Sequence, residues 1–102
     1  MTVESYGGSP VKTNTVSAQT VVSVLSTDTA LVAANANRVE LTITNDHATQ
    51  VVYLSFGTTA ATANNCMRLN AAGGSYTTRS YTGAIRAISV GGTSAVLVLE
   101  IG

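Results

Sequence analysis

Charge is scarce in this sequence. Only 10% of its 102 residues are Asp, Glu, Lys or Arg, against roughly 25% in an ordinary soluble domain. A small protein has a large surface for its volume and normally covers it with charge. Here Thr, Ser, Ala and Asn take those places. Part of the surface is therefore expected to pack against other chains, because the centres of protein interfaces are depleted of charge in this way. The five basic and five acidic residues cancel. Lys12, Arg38, Arg68, Arg79 and Arg86 are scattered along the chain. Without a basic stripe, no nucleic acid is expected as a partner. A neutral chain also lacks the net repulsion that keeps copies apart, which suits a homo-oligomer.

Other scarcities narrow the reading further. Cys66 is the one cysteine, which excludes an internal disulfide and suits a reducing cytoplasm. Its expected place is the interior, where free cysteine usually packs as a small hydrophobe. No apolar run approaches the roughly 18 residues of a membrane span, so no membrane is expected. Residues 1–6 carry no positive start and no apolar stretch of the kind a secretory signal needs.

What the chain does have is strand and turn chemistry. Residues 1–15 show no core-forming period, and Gly7-Gly8-Ser9-Pro10 is a breaker cluster. They are read as an extended N-terminal arm, with Tyr6, Pro10 and Val11 as anchors on a neighbour. Residues 16–102 are read as one β-sandwich domain. Segments 16–25, 30–33, 38–44, 50–56, 66–69, 75–78, 84–90 and 94–101 are rich in β-branched or alternating apolar residues. Turn signals separate them at the spacing of a sandwich or barrel. The fold class is all-β: a single antiparallel β-sandwich of about eight short strands, jelly-roll or Ig-like. Segment 38–44 alternates most cleanly. Val39, Leu41 and Ile43 fall on one face, and Arg38, Glu40, Thr42 and Thr44 on the other.

Two segments are apolar on both faces. In 50–56, Val52, Leu54 and Phe56 stand beside Val51 and Tyr53. An arm, a loop or a neighbouring subunit must cover the second face. In 94–101, the larger set, Ala95, Leu97, Leu99 and Ile101, is expected to face the core. Val96 and Val98 are then expected to face outward, as part of an interface.

No catalytic constellation stands out. Glu4, Asp28, Glu40, Asp46 and Glu100 sit in no acid–base motif. His47 is the one histidine, and a metal site needs further ligands. Asn45-Asp46-His47 reads as a turn. Gly73-Gly74-Ser75 and Gly91-Gly92-Thr93 precede strand-like sequence, not the helix that a phosphate loop needs. The chain is therefore expected to be a non-enzyme with no cofactor and no metal. Tyr76 and Tyr81 are the one plausible aromatic platform. Arg68 and Arg79 are expected to supply ion pairs at an interface rim.

The order of several pieces carries a resemblance. They are Asn37-Arg38-Val39-Glu40-Leu41-Thr42-Ile43-Thr44-Asn45, Val52-Tyr53-Leu54-Ser55-Phe56-Gly57, Leu69 with Gly73-Gly74-Ser75, Tyr81-Thr82-Gly83-Ala84-Ile85-Arg86-Ala87-Ile88, and Gly91-Gly92-Thr93 before the final strand. This order resembles small β-sandwich virion proteins of tailed bacteriophages, which decorate or cement capsids or sit in head fibres and tails. The likeness spans roughly residues 38–101 and offers no catalytic residues. It implies a virion location after assembly in the host cytoplasm. It also implies the major capsid protein or other virion subunits as partners. The apolar strand faces lead to a symmetric homo-oligomer, with a trimer favoured. The alternative the likeness leaves open is a head-fibre or tail module that binds host-surface carbohydrate through Tyr76 and Tyr81.

Overall fold

β-Branched residues lose side-chain freedom in a helix and suit a pleated strand. The chain follows that preference. A computed structural model describes residues 15–102, and among them it has eight strands and no helix. The strands are β1 (Val16–Val24), β2 (Thr29–Val32), β3 (Glu40–Asn45), β4 (Val52–Phe56), β5 (Met67–Leu69), β6 (Ser75–Thr78), β7 (Ile85–Ser89) and β8 (Ser94–Ile101). Tyr6, Pro10 and Val11, the expected arm anchors, lie outside the described residues.

The strands form two four-stranded sheets, ordered β1-β8-β3-β6 and β2-β7-β4-β5. Every pairing is antiparallel. The chain changes sheet at each connection except β4 to β5. Of the two sandwich types expected from the sequence, this order selects the jelly roll, with its paired Greek keys. Gly91 and Gly92 turn β7 into β8 at φ +96° and +147°, a region that an L side chain rarely enters.

The core lies between the sheets. Leu41 and Ile43 of β3, Val52 and Leu54 of β4, Ile85 and Ala87 of β7, and Val96 and Val98 of β8 fill it. The last two overturn an expectation. Val96 and Val98 point inward at 0% and 5% exposure, while Leu97 and Leu99 point outward at 38% each. The register explains the reversal. Val98 stands opposite Ile43, and Glu100 opposite Leu41. Residues directly opposite share a face, so β3's unambiguous alternation dictates the facing of β8.

The polar ends of β8's inner row are satisfied within the chain. Ser94 Oγ and Ser89 Oγ are hydrogen-bonded at 2.7 Å, and Gln50 Oε1 lies 3.1 Å from each and accepts from the hydroxyl whose proton is not used between them. At the other end, Glu100 meets Arg38. Arg38 was expected on the solvent face of a strand that began with it. Instead β3 starts at Glu40, and Arg38 is 2% exposed. Its Nε donates to Glu100 Oε2 at 2.7 Å. Nη1 donates to the carbonyls of Tyr81 and Gly83, and Nη2 to that of Ala33. One guanidinium thus ties the β2–β3 and β6–β7 connections to β8.

The second apolar face of β4 is covered from within the chain. Residues 57–66 fold back over it. Tyr53 Oη donates to Asn64 Oδ1 at 2.9 Å, and Ser55 Oγ to Thr59 O at 2.9 Å. Ala61 is buried in this cover. Cys66, expected inside, ends the loop exposed, with a left-handed φ of 67°.

Asp28 pins the same loop. Its Oδ1 accepts from Ala61 N at 2.8 Å, and its carboxylate pairs with Arg86 at 2.7 Å. The Arg86 hydrogen bond, followed by the Ala61 N–H, holds the Asp28 carboxyl below its ordinary value. A depressed folded pKa contributes stability that is complete above the unfolded value, about 4. That stability is lost as pH falls through the lower folded value. Asp28→Asn is therefore expected to flatten the acid limb of stability below about pH 4. Thermal melts of both proteins across that range check this. Parallel acid limbs would exclude Asp28 as the titrating group.

Candidate protein-binding surface

The outer face of the β1-β8-β3-β6 sheet is built by the residues that alternate out of the core. Two rows cross it. Val21, Leu97, Thr44 and Ser75 stand side by side in one, and Gln19, Leu99, Thr42 and Thr77 in the next. Thr42 Oγ1 and Thr77 Oγ1 are hydrogen-bonded at 3.1 Å. The face is thus aliphatic over β1 and β8 and hydroxyl-bearing over β3 and β6. Val21 is 65% exposed. A shallow trough of about 590 Å³ runs along the face, with Val21, Thr42, Thr44, Leu97 and Leu99 among its walls. No residue lining it is charged.

Charge begins at the rim. Glu40 precedes Thr42 on the same side of β3. Arg79, just past β6, donates through Nε to Glu40 Oε2 at 2.7 Å. The Arg79 side chain is 79% exposed, so this pair adds little to the stability of the isolated chain. An uncharged centre with an ion pair at its edge is the layout of a protein interface.

The other expected site residues lie elsewhere. Arg68 is exposed on β5, in the opposite sheet, and donates to Asn70 Oδ1 at 2.9 Å. Tyr76 and Tyr81 are brought together, but around Phe56. Both rings meet it edge-on, with centroids 5.4 and 5.3 Å away. Tyr76 stands opposite Ile43 and so leans inward. Tyr81 Oη donates to Ala84 O at 2.8 Å. The two tyrosines pack half-buried against the core beside Phe56. His47 serves its turn: its Nδ1 accepts from the backbone N–H groups of Thr49 and Gln50. Sequence reasoning missed the outer face because it placed Leu97 and Leu99 inside. The signal that could have found it was the strict alternation of residues 38–44, had its pairing with residues 94–101 been known.

Compared with known protein families, curated proteins and solved structures, the chain gives no match.

Proposed function

We propose that the chain is a non-enzymatic structural subunit of a tailed-phage particle. In this reading it binds and stabilises the capsid as a decoration or cement subunit. The contact is the outer face of the β1-β8-β3-β6 sheet. The observation that carries the reading is the uncharged centre of that face, with the Glu40–Arg79 pair at its rim. Such a centre fits a partner surface that is likewise uncharged and rich in aliphatic and hydroxyl groups, on the major capsid protein or a neighbouring virion subunit. The jelly-roll order adds support, since viral coat proteins use it, although lectins and cupins share it.

Occupancy on particles lacking the protein tests this. A Leu97→Asp, Leu99→Asp double variant places two carboxylates where the contact should be dry. Desolvating an unpaired charge costs several kcal/mol, so binding is expected to weaken by about 100-fold or more. Asn65→Asp adds charge on the exposed covering loop and is expected to leave occupancy unchanged. A folded double variant that decorates particles as well as the parent chain would overturn the reading.

A further inference from the structure

Among the described residues strand β1 is a free edge, and its hydrogen-bond parity shows which backbone groups point away from β8. Asp46 N donates to Ala95 O at 3.0 Å, and Asn45 stands opposite Val96. Asp46 and Ala95 are thus a hydrogen-bonded pair. Bonded and non-bonded pairs alternate along an antiparallel ladder. Ala95, Leu97 and Leu99 therefore direct their backbone groups to β3, and Ser94, Val96, Val98 and Glu100 direct theirs to β1. The bond from Gly102 N to Thr15 O has the same parity. On β1, then, Ala18, Thr20, Val22 and Val24 bond to β8. Gln19, Val21 and Ser23 point their N–H and C=O groups away from it. Among the described residues, β1 has no second neighbour.

This edge is unlike the other three. β2, β5 and β6 have four, three and four residues, whereas β1 has nine. Proteins blunt edges with short strands, charge, proline or bulges. β1 carries no charge and no proline, and its one bulge lies at its start, between Val16 and Ala18. Its sequence, Val-Ser-Ala-Gln-Thr-Val-Val-Ser-Val, is also nearly symmetric about Thr20. Read antiparallel against itself, Val16 meets Val24, Ser17 meets Ser23, Ala18 meets Val22, and Gln19 meets Val21. That register places Gln19 opposite Val21 of the other copy, and these are residues whose backbone groups point away from β8.

We infer that β1 pairs antiparallel with β1 of a second copy of this chain, across a two-fold axis at Thr20. The two outer sheets then join into one eight-stranded sheet. The Val21 and Leu97 stripes of both copies come side by side, on a face twice as wide. The occupant is a second copy because the edge is self-complementary in register and neither side brings a charge to repel the other. Such a contact is isologous and closes as a pair, so it gives a dimer where the sequence led to a trimer. The shared edge is only roughly 30 Å long. It buries less than the roughly 1,000 Å² of a firm interface, so the pair is weak and reversible in solution. The contact does not depend on the capsid reading, and its test uses the isolated protein.

The test is a disulfide trap in the full chain. At the axis, Thr20 faces Thr20 as a non-bonded pair, with Cα atoms about 4.5 Å apart, within the range a disulfide spans. In a Cys66→Ser background, Thr20→Cys is expected to give a covalent dimer on mild oxidation. Thr77→Cys, also exposed but on the far edge strand β6, is expected to give no covalent dimer. Val21→Pro removes a free-edge N–H without touching β8, and is expected to cut Thr20→Cys trapping at least tenfold. Sedimentation velocity of the unmodified chain is expected to show a monomer–dimer equilibrium that shifts with concentration. No trapping at Thr20→Cys, equal trapping at Thr77→Cys, or a monomer at every concentration would each overturn the inference.

Discussion

Val98→Asp is expected to unfold the protein, and Leu99→Asp is expected to leave it folded. The two positions are adjacent in sequence and opposite in environment. Val98 is 5% exposed between the sheets, and Leu99 is 38% exposed on the outer face. Replacing Val98 loses about 1.5–3 kcal/mol of apolar burial. It also places a carboxylate in the core, where the cost is several kcal/mol more even after the group takes up a proton. The sum approaches the whole stability of a small domain, about 5–15 kcal/mol. At Leu99 the carboxylate stays in water. The change there is confined to strand preference and partial burial, about 1 kcal/mol. Circular dichroism with a urea titration of both variants decides the matter. A folded Val98→Asp, or two variants that unfold alike, would contradict the observed facing of β8.

Arg38→Ala carries the second large effect. Arg38 pairs with Glu100 at 2.7 Å, and the two side chains are 1% and 11% exposed. Ser17 Oγ also donates to Glu100 Oε1 at 3.1 Å. Removing the guanidinium leaves Glu100 without its cation and takes donors from the carbonyls of Ala33, Tyr81 and Gly83. Breaking a buried pair from one side costs about 3–5 kcal/mol. Replacing both partners at once, as Arg38→Met with Glu100→Met, removes the stranded charge and is expected to recover part of that loss. A double-mutant cycle in urea measures both quantities. A cost below about 1 kcal/mol for Arg38→Ala would place the pair with ordinary surface ion pairs and contradict its role as the tie between connections.

The strands were legible because their signals are local. Segments 75–78 and 94–101 were read to the residue, and the Gly91-Gly92 turn between β7 and β8 needs only its own sequence. What escaped depends on pairing between distant residues. β8 offers aliphatic side chains to both faces, so its own pattern does not choose between them. Ile43 chooses, from the neighbouring strand. Arg38 continues the polar face of segment 38–44 on paper. The strand starts two residues later, and Glu100, 62 positions away, draws the guanidinium inward. The Val51 and Tyr53 face needed a cover, and the sequence leaves that cover open among arm, loop and neighbour. It is the loop at 57–66, whose small polar residues reach back through Thr59 and Asn64. Tyr76 and Tyr81 looked free because nothing local pairs them with Phe56. The outer face of β8 follows from these non-local contacts and from no single segment.

For the capsid reading proposed above, a cryo-EM map of a phage particle carrying this chain tests most directly whether that face is where the chain binds. The expected result is protein density packed against Val21, Leu97 and Leu99, with the Glu40–Arg79 pair at the contact's margin. A map in which these side chains face solvent, while the chain is held through the β2-β7-β4-β5 sheet, would contradict it.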